Sequence, residues 1–171
     1  MANFVDVSNA LRFPGQEYSV NEDVLVEEME LSGDPIGFTG IKVKGTMVGA
    51  EERVSVRANV AATLLSRCVR CLGAVAMPVR AEIDALFARA EDPDDPDLYL
   101  FEGSAIDLTD PARDALLLEL PIRILCKEDC KGLCPVCGAD RNAVSCACQE
   151  GGEVANPFAA LKEFSHDDEE V

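Results

Sequence analysis

The sequence contains no tryptophan, two tyrosines and one histidine, and aromatic residues make up only 5% of its 171 positions. So small a stock of rings leaves little to stack on sugars or unpaired bases, the contacts on which recognition of those ligands leans. Positive charge is also scarce. Fifteen Lys and Arg stand against 32 Asp and Glu, a formal net charge of −17. Nucleic-acid binding is driven by Lys and Arg neutralising phosphates, so the chain repels RNA and DNA unless its basic residues gather on one face. Acidity of this kind serves solubility or draws in a basic partner. No apolar run approaches the ~20 residues that span a bilayer. Residues 1–11 lack a basic stretch followed by an apolar one, so neither a membrane span nor a signal peptide is expected. The expected location is cytoplasmic, where thiols stay reduced.

What is present begins with 48% hydrophobic residues, enough for a core in one domain with an appendage or in two small ones. Residues 1–22 read as an irregular lead-in with one short helix or strand. From residue 23 the apolar period is mostly two. Val54, Val56, Ala58 and Val60 alternate with Arg53, Ser55, Arg57 and Asn59, the pattern of a half-buried strand. Val79, Ala81, Ile83 and Ala85 repeat it, as do Ile41, Val43 and Met47. Val24 to Leu31 predicts a further strand, closed by the turn residues Ser32-Gly33-Asp34-Pro35. Strands in series with short connections favour an antiparallel meander, because parallel neighbours would need crossover helices. Residues 90–97 form an acidic, proline-containing loop with no apolar anchor. Asp110 before Pro111 suits a helix N-cap, Leu116, Leu117 and Leu120 supply an apolar face, and Pro121 stops the helix. A short helix is expected around residues 158–164.

The expected fold class is therefore α+β. It comprises an antiparallel meander or barrel-like sheet over 1–89, the acidic loop 90–97, and a strand and helix over 98–125 packing on the sheet. A zinc-binding segment with a short helix (126–164) and a disordered acidic tail (165–171) complete it.

Eight cysteines in a reducing compartment call for an explanation other than disulfides, and metal supplies one. Cys134 and Cys137 enclose Pro135 and Val136 and precede Gly138. This is a knuckle in which Pro stiffens the turn and Gly permits the positive φ that follows. Cys146 and Cys148 can complete a tetrahedron of thiolates, the arrangement zinc favours. Cys126 and Cys130 exceed that tetrahedron. They make a second with Cys68 and Cys71, a tie that closes a long stretch of chain. Two zinc ions, and at least one, are expected. Other groupings stay open: one zinc with four unligated thiols, a Cys126/Cys130/Cys134/Cys137 set, or an iron–sulfur cluster. A redox role for Cys68 and Cys71 fits poorly with an antiparallel strand context. Eight thiolates and two Zn²⁺ would take the charge from −17 to −21. Arg67, Arg70, Arg123, Lys127, Lys131 and Arg141 lie near the cysteines in sequence and compensate thiolate charge locally. Alternatively Arg67, Arg70, Lys127, Lys131 and Arg141 form a patch that meets RNA phosphates.

No enzyme is legible. All-cysteine ligands close the metal and leave no position for substrate or water. The single histidine, His166, sits beside Asp167 and Asp168 as a solvated residue. No nucleophile elbow, phosphate-cradling loop or small-molecule site is evident.

The run from Cys126 through Cys130-Lys-Gly-Leu-Cys134-Pro-Val-Cys137-Gly to Cys146-Ala-Cys148 resembles the cysteine motif of the YceD family. Members of that family are called large ribosomal RNA subunit accumulation proteins. Cys68-Val-Arg-Cys71, Ile106-Asp107-Leu108, Leu120-Pro121 and Asn156-Pro157-Phe158-Ala159-Ala160-Leu161 resemble it too, so the likeness runs from about residue 50 onward. The resemblance implies a part in large-subunit ribosomal RNA accumulation or ribosome assembly and carries no catalytic residue. With the acidity, it makes a basic large-subunit ribosomal protein or an assembly intermediate the expected partner, and direct contact with precursor RNA the alternative.

Overall fold

A computed structural model describes residues 3–31 and 33–148. The chain divides into two compact units, Met1–Cys130 and Lys131–Val171. The expected helix at 158–164, the Asn156–Leu161 motif, the tail and His166 lie outside the described residues.

The first unit runs β1 (Phe4–Asp6), α1 (Ser8–Arg12), β2 (Glu17–Val24), β3 (Met29–Leu31), β4 (Asp34–Ala50) and β5 (Arg53–Arg67). It continues with β6 (Ala74–Ala88), β7 (Tyr99–Leu100), β8 (Ala105–Asp107) and α2 (Thr109–Leu118). The order across the main sheet is β2-β4-β5-β6-β7, with β3 also on β4 and β1 paired separately with β8. The antiparallel meander of β4, β5 and β6 follows from strict alternation. In β5, Val54, Val56, Ala58, Val60, Ala62 and Leu64 face one way and are buried. Cross-strand register sets Val60 between Val43 and Ala81, and Val56 between Met47 and Ala85. Burying each large aliphatic side chain contributes about 1.5–3 kcal/mol, so a one-residue slip that turned a whole strand over would cost far more than it gained.

Helices α1 and α2 cover the apolar face. Gly49 makes room for α1, since a Cβ there would lie 2.1 Å from the Ala10 carbonyl oxygen. Ala112, Ala115 and Leu116 of α2 are buried in the core. The opposite face stays in solvent and carries Lys42, Lys44, Arg57, Arg80, Glu82 and Asp84. Within β4 the inward residues change from even (Ile36, Phe38) to odd (Ile41, Val43, Met47). A register shift against β5 between Thr39 and Lys42 accompanies the change, and Gly40 there has φ +65°. It is a bulge with glycine in the left-handed region.

Several expectations need correction. The barrel-like sheet is an open one: among the described residues β2 and β7 end it and do not pair with each other. A two-residue β7 offers too short an edge for closure. The strand expected over 24–31 is interrupted at 25–28, and residues 1–22, read as an irregular lead-in with one short helix or strand, hold β1, α1 and most of β2. Asp110 is not the N-cap. Helix α2 begins at Thr109, whose N–H donates to the Asp107 carboxylate at 2.8 Å, while Asp110 pairs with Arg113 at 2.6 Å. Loop 90–97, expected to lack an apolar anchor, is tied to the sheet by charge, through the ion pair Asp92–Arg53 at 2.8 Å.

The second unit has neither helix nor strand over 131–148. Hydrogen bonds shape it: the Asp140 carbonyl accepts from the Ala143 and Val144 N–H groups, and the Gly132 carbonyl accepts from the Arg141 N–H. No helix of the described residues is long and apolar enough to cross a membrane.

Candidate metal centres

The turn between β5 and β6 carries Cys68 and Cys71. The Cys68 N–H donates to the Gly73 carbonyl and the Leu72 N–H to the Cys68 carbonyl, both at 2.8 Å. This fold of the backbone puts Leu72 at φ +60°. The segment after α2 comes alongside, its Ile124 carbonyl accepting the Val69 N–H at 3.0 Å. Cys126 and Cys130 are thereby brought to the first pair. Sγ atoms lie 3.7 Å apart for Cys68 and Cys130, and 3.6 Å apart for Cys71 and Cys126. Val75 shares a small apolar cluster with Cys68 and Cys130, flanked by Ile124 and Leu125. Arg70 ties the site from outside: its Nη1 donates to the Cys130 carbonyl at 2.9 Å.

In the second unit the Cys134 N–H donates to the Ala139 carbonyl at 2.8 Å and the Gly138 N–H to the Cys134 carbonyl at 2.9 Å. Cys137, Cys146 and Cys148 join Cys134 in a second quartet, and within each quartet every Sγ lies within 4.8 Å of the others. Asn142 braces the loop between, its side-chain oxygen accepting the Lys131 N–H at 2.9 Å.

These distances fit a tetrahedral metal. With Zn–S near 2.3 Å, a regular ZnS₄ tetrahedron has S···S edges of about 3.8 Å. The thiols' proton affinities make the same point. Burial penalises the Cys68 thiolate, yet backbone N–H groups of Cys126, Cys71 and Arg70 outweigh it and bring the thiol down to about 6. Cys134 is brought to about 6 by the N–H groups of Cys137 and Val136. Cys126 is pushed up to about 12, chiefly by the neighbouring Cys130 thiol, and Cys148 to about 12, chiefly by Cys137. Sulfurs this close cannot all ionise without a cation among them. A divalent metal removes that conflict, and each quartet can hold one.

The model of the family described as large ribosomal RNA subunit accumulation protein YceD matches residues 56–165, well over half the chain and both quartets. The chain belongs to the YceD family. Among relatives, the Bacillus subtilis (strain 168) protein YlbN is 28% identical over 163 residues, covering 93% of this chain and 94% of its own. The Mycobacterium tuberculosis (strain ATCC 25618 / H37Rv) protein Rv2926c is 31% identical over 147 residues, 78% of this chain and 68% of its own. An Arabidopsis thaliana protein, the chloroplastic large ribosomal RNA subunit accumulation protein YCED homolog 1, is 36% identical over 64 residues, 36% of this chain and 20% of its own. No solved structure matches.

Both quartets of this YceD chain are the groupings expected from spacing, and the Cys126/Cys130/Cys134/Cys137 set is not the one brought together. The basic residues divide between the units. Arg67 is exposed at the end of β5, Arg70 is engaged by Cys130, and Lys127 lies 3.9 Å from Asp129. Lys131 and Arg141 belong to the second unit, where the Arg141 side chain is half-buried. Spacing did not reveal Arg70 as a brace. Nor did it reveal Leu72, although the position after each CxxC was readable as the one that turns left-handed.

Proposed function

We propose that this protein is a non-enzymatic cytoplasmic factor, stabilised by two zinc ions, that supports accumulation of large-subunit ribosomal RNA by holding a basic large-subunit ribosomal protein. Family membership supplies the process, which both the family and its chloroplastic relative carry in their names. The observation that carries the mode of action is the segregation of charge. Residues 13–41 hold seven acidic side chains and no basic one, and residues 91–97 hold five and none. Surfaces of one sign attract a Lys- and Arg-rich client at a distance and shield it until RNA takes over. The zinc ions fix structure. Cys68, Cys71, Cys126 and Cys130 hold one, Cys134, Cys137, Cys146 and Cys148 the other, and full thiolate coordination leaves no open position for catalysis.

Direct binding of precursor RNA through Arg67, Arg70, Lys127, Lys131 and Arg141 is the weaker reading, because Arg70 is spent on the Cys130 carbonyl and Lys127 is offset by Asp129. One experiment separates the two. Purified protein is titrated with proteins extracted from isolated large ribosomal subunits, and separately with naked precursor RNA. The proposal expects salt-sensitive capture of a small basic protein, weakened when the acids of 91–97 are neutralised. Affinity for RNA alone, abolished by reversing those five basic residues, would replace it. Elemental analysis under reducing conditions should give two zincs per chain, and iron would reopen a redox role.

A further inference from the structure

The two long edges of the sheet are treated differently. On the β6 side, β7 pairs with Phe87 and Ala88, Pro78 removes an N–H, and Arg80, Glu82 and Asp84 mix charges along the strand. Proline and mixed charge are the usual means of keeping another chain from pairing with an edge. On the other side β2 and β3 lie end to end along β4. Val24 pairs with Ile41 and Met29 with Ile36, so both keep one register and make one edge in two pieces, 17–24 and 29–31; between them Asn3 clasps the Leu25 main chain, accepting its N–H at 2.9 Å and donating to its carbonyl at 2.7 Å. Its outer side has no strand partner among the described residues. It has no proline and no basic residue; Glu17, Glu22, Asp23, Glu27, Glu28 and Glu30 are exposed along it. Between them Leu25 is 64% and Leu31 46% exposed. Glu22 falls on the inward side of β2 with Val20 and Val24, yet it is exposed, so the apolar face is uncovered at this margin too.

We infer that the β2–β3 edge is a docking site for an extended Lys- and Arg-rich segment of a partner protein, laid down as an added strand. Unpaired N–H and C=O groups along β2 supply the main-chain ladder, the acids select a basic sequence, and Leu25 and Leu31 receive apolar side chains interspersed with the charges. Charge complementarity decides the occupant. A second copy of this chain would set the same acids against each other, and RNA would meet only negative charge. The assignment rests on the reading that the client is basic and names where and how it is held.

The test compares three forms of the full chain against the basic protein captured most tightly from large-subunit extracts, and against a 12-residue Lys-rich peptide. The forms are wild type, an edge variant (Glu17→Gln, Glu22→Gln, Asp23→Asn, Glu27→Gln, Glu30→Gln) and a loop variant (Glu91→Gln, Asp92→Asn, Asp94→Asn, Asp95→Asn, Asp97→Asn). The edge variant should bind about tenfold or more weakly, the loop variant less so. Amides of residues 17–24 should gain hydrogen-exchange protection when wild type is loaded. All five edge positions are exposed, so thermal melts of the edge variant should match wild type. Undiminished binding by the edge variant overturns the docking site and leaves the basic client standing. Weakened binding without new amide protection overturns strand addition. Absence of any capture by wild type removes the client reading and the docking site together.

Discussion

Cys68 and Cys134 open the same backbone device, with an N–H bonded five residues ahead and a carbonyl accepting from the fourth residue on, and yet the two quartets are held by different forces. The first closes on residues 55 and 62 positions away and is seated against Val75, Ile124 and Leu125. Its surroundings fold for reasons of their own, since the sheet beneath has a continuous apolar core. All four ligands of the second fall between Cys134 and Cys148. In 131–148 only Gly132 and Cys134 are buried. A segment with two buried residues has no core to offset its conformational entropy, at roughly 1–2 kcal/mol per residue for the backbone. With a metal bound, the first quartet would be a rivet between parts that already exist, whereas the second would be the condition for having a fold.

That contrast can be broken in four ways, the largest first. Replacing Cys134 and Cys146 by Ser should abolish the structure of 131–148, because binding energies of such sites are ~10 kcal/mol or more and here form nearly the whole fold. Amide exchange in that segment should become unprotected while the melting temperature of the sheet stays put; a parallel fall in both would show the units to be one cooperative body. Replacing Cys68 and Cys130 by Ser should keep the sheet. It should lower its unfolding free energy by about 4 kcal/mol, the chain-entropy value for a tie across a loop this long. Denaturant melts measure this, and an unchanged midpoint would mean the rivet is idle.

Acid should act on both sites alike. In each quartet two thiols are raised above their ordinary value, Cys71 and Cys126 in one, Cys146 and Cys148 in the other. Raised in this way they stay protonated near neutral pH and would have to give up those protons to bind zinc. Calorimetry in two buffers should therefore show at least two protons released per ion, and affinity should fall about 100-fold for each pH unit of acidification. Smaller still is the left-handed residue that ends each knuckle. Gly138 sits at φ +73° without strain, but Leu72 sits at +60° with a Cβ. A side chain in that region costs roughly 1–2 kcal/mol, part of which glycine returns as unfolded-chain entropy. As Leu72 is 59% exposed and contributes little packing, Leu72→Gly should stabilise the first unit by about 0.5–1 kcal/mol in the same melts.

The alternating valines of 53–60, the odd-numbered run of 79–85 and the residues 41–47 were legible as strands because each is apolar on one face along its whole length. The quartets were legible too. Pairs of cysteines at CxxC spacing have few ways to satisfy a tetrahedron, and the leftover Cys126 and Cys130 matched the leftover Cys68 and Cys71. What escaped notice lies at margins. An edge strand such as β2 shows only Val20 and Val24 as buried apolar positions, a spacing that reads as irregular. Openness of the sheet depends on β7 being two residues long, which no periodicity reports. Arg70 looked like one of several cations near thiolates, and only geometry distinguishes a guanidinium bonded to a ligand's carbonyl from one facing solvent.

Gly40 has a consequence for the sheet as a whole. The bulge it allows makes β4 two half-strands in opposite phase, one burying even residues and one odd. Along β5 the shift is absorbed as a step in register, whereas β2 and β3 keep their count straight through it and give up pairing at 25–28. The central strand thus works as a vernier between two neighbours of unequal pitch, and one left-handed glycine keeps oil-facing and water-facing sides aligned from one end of the sheet to the other.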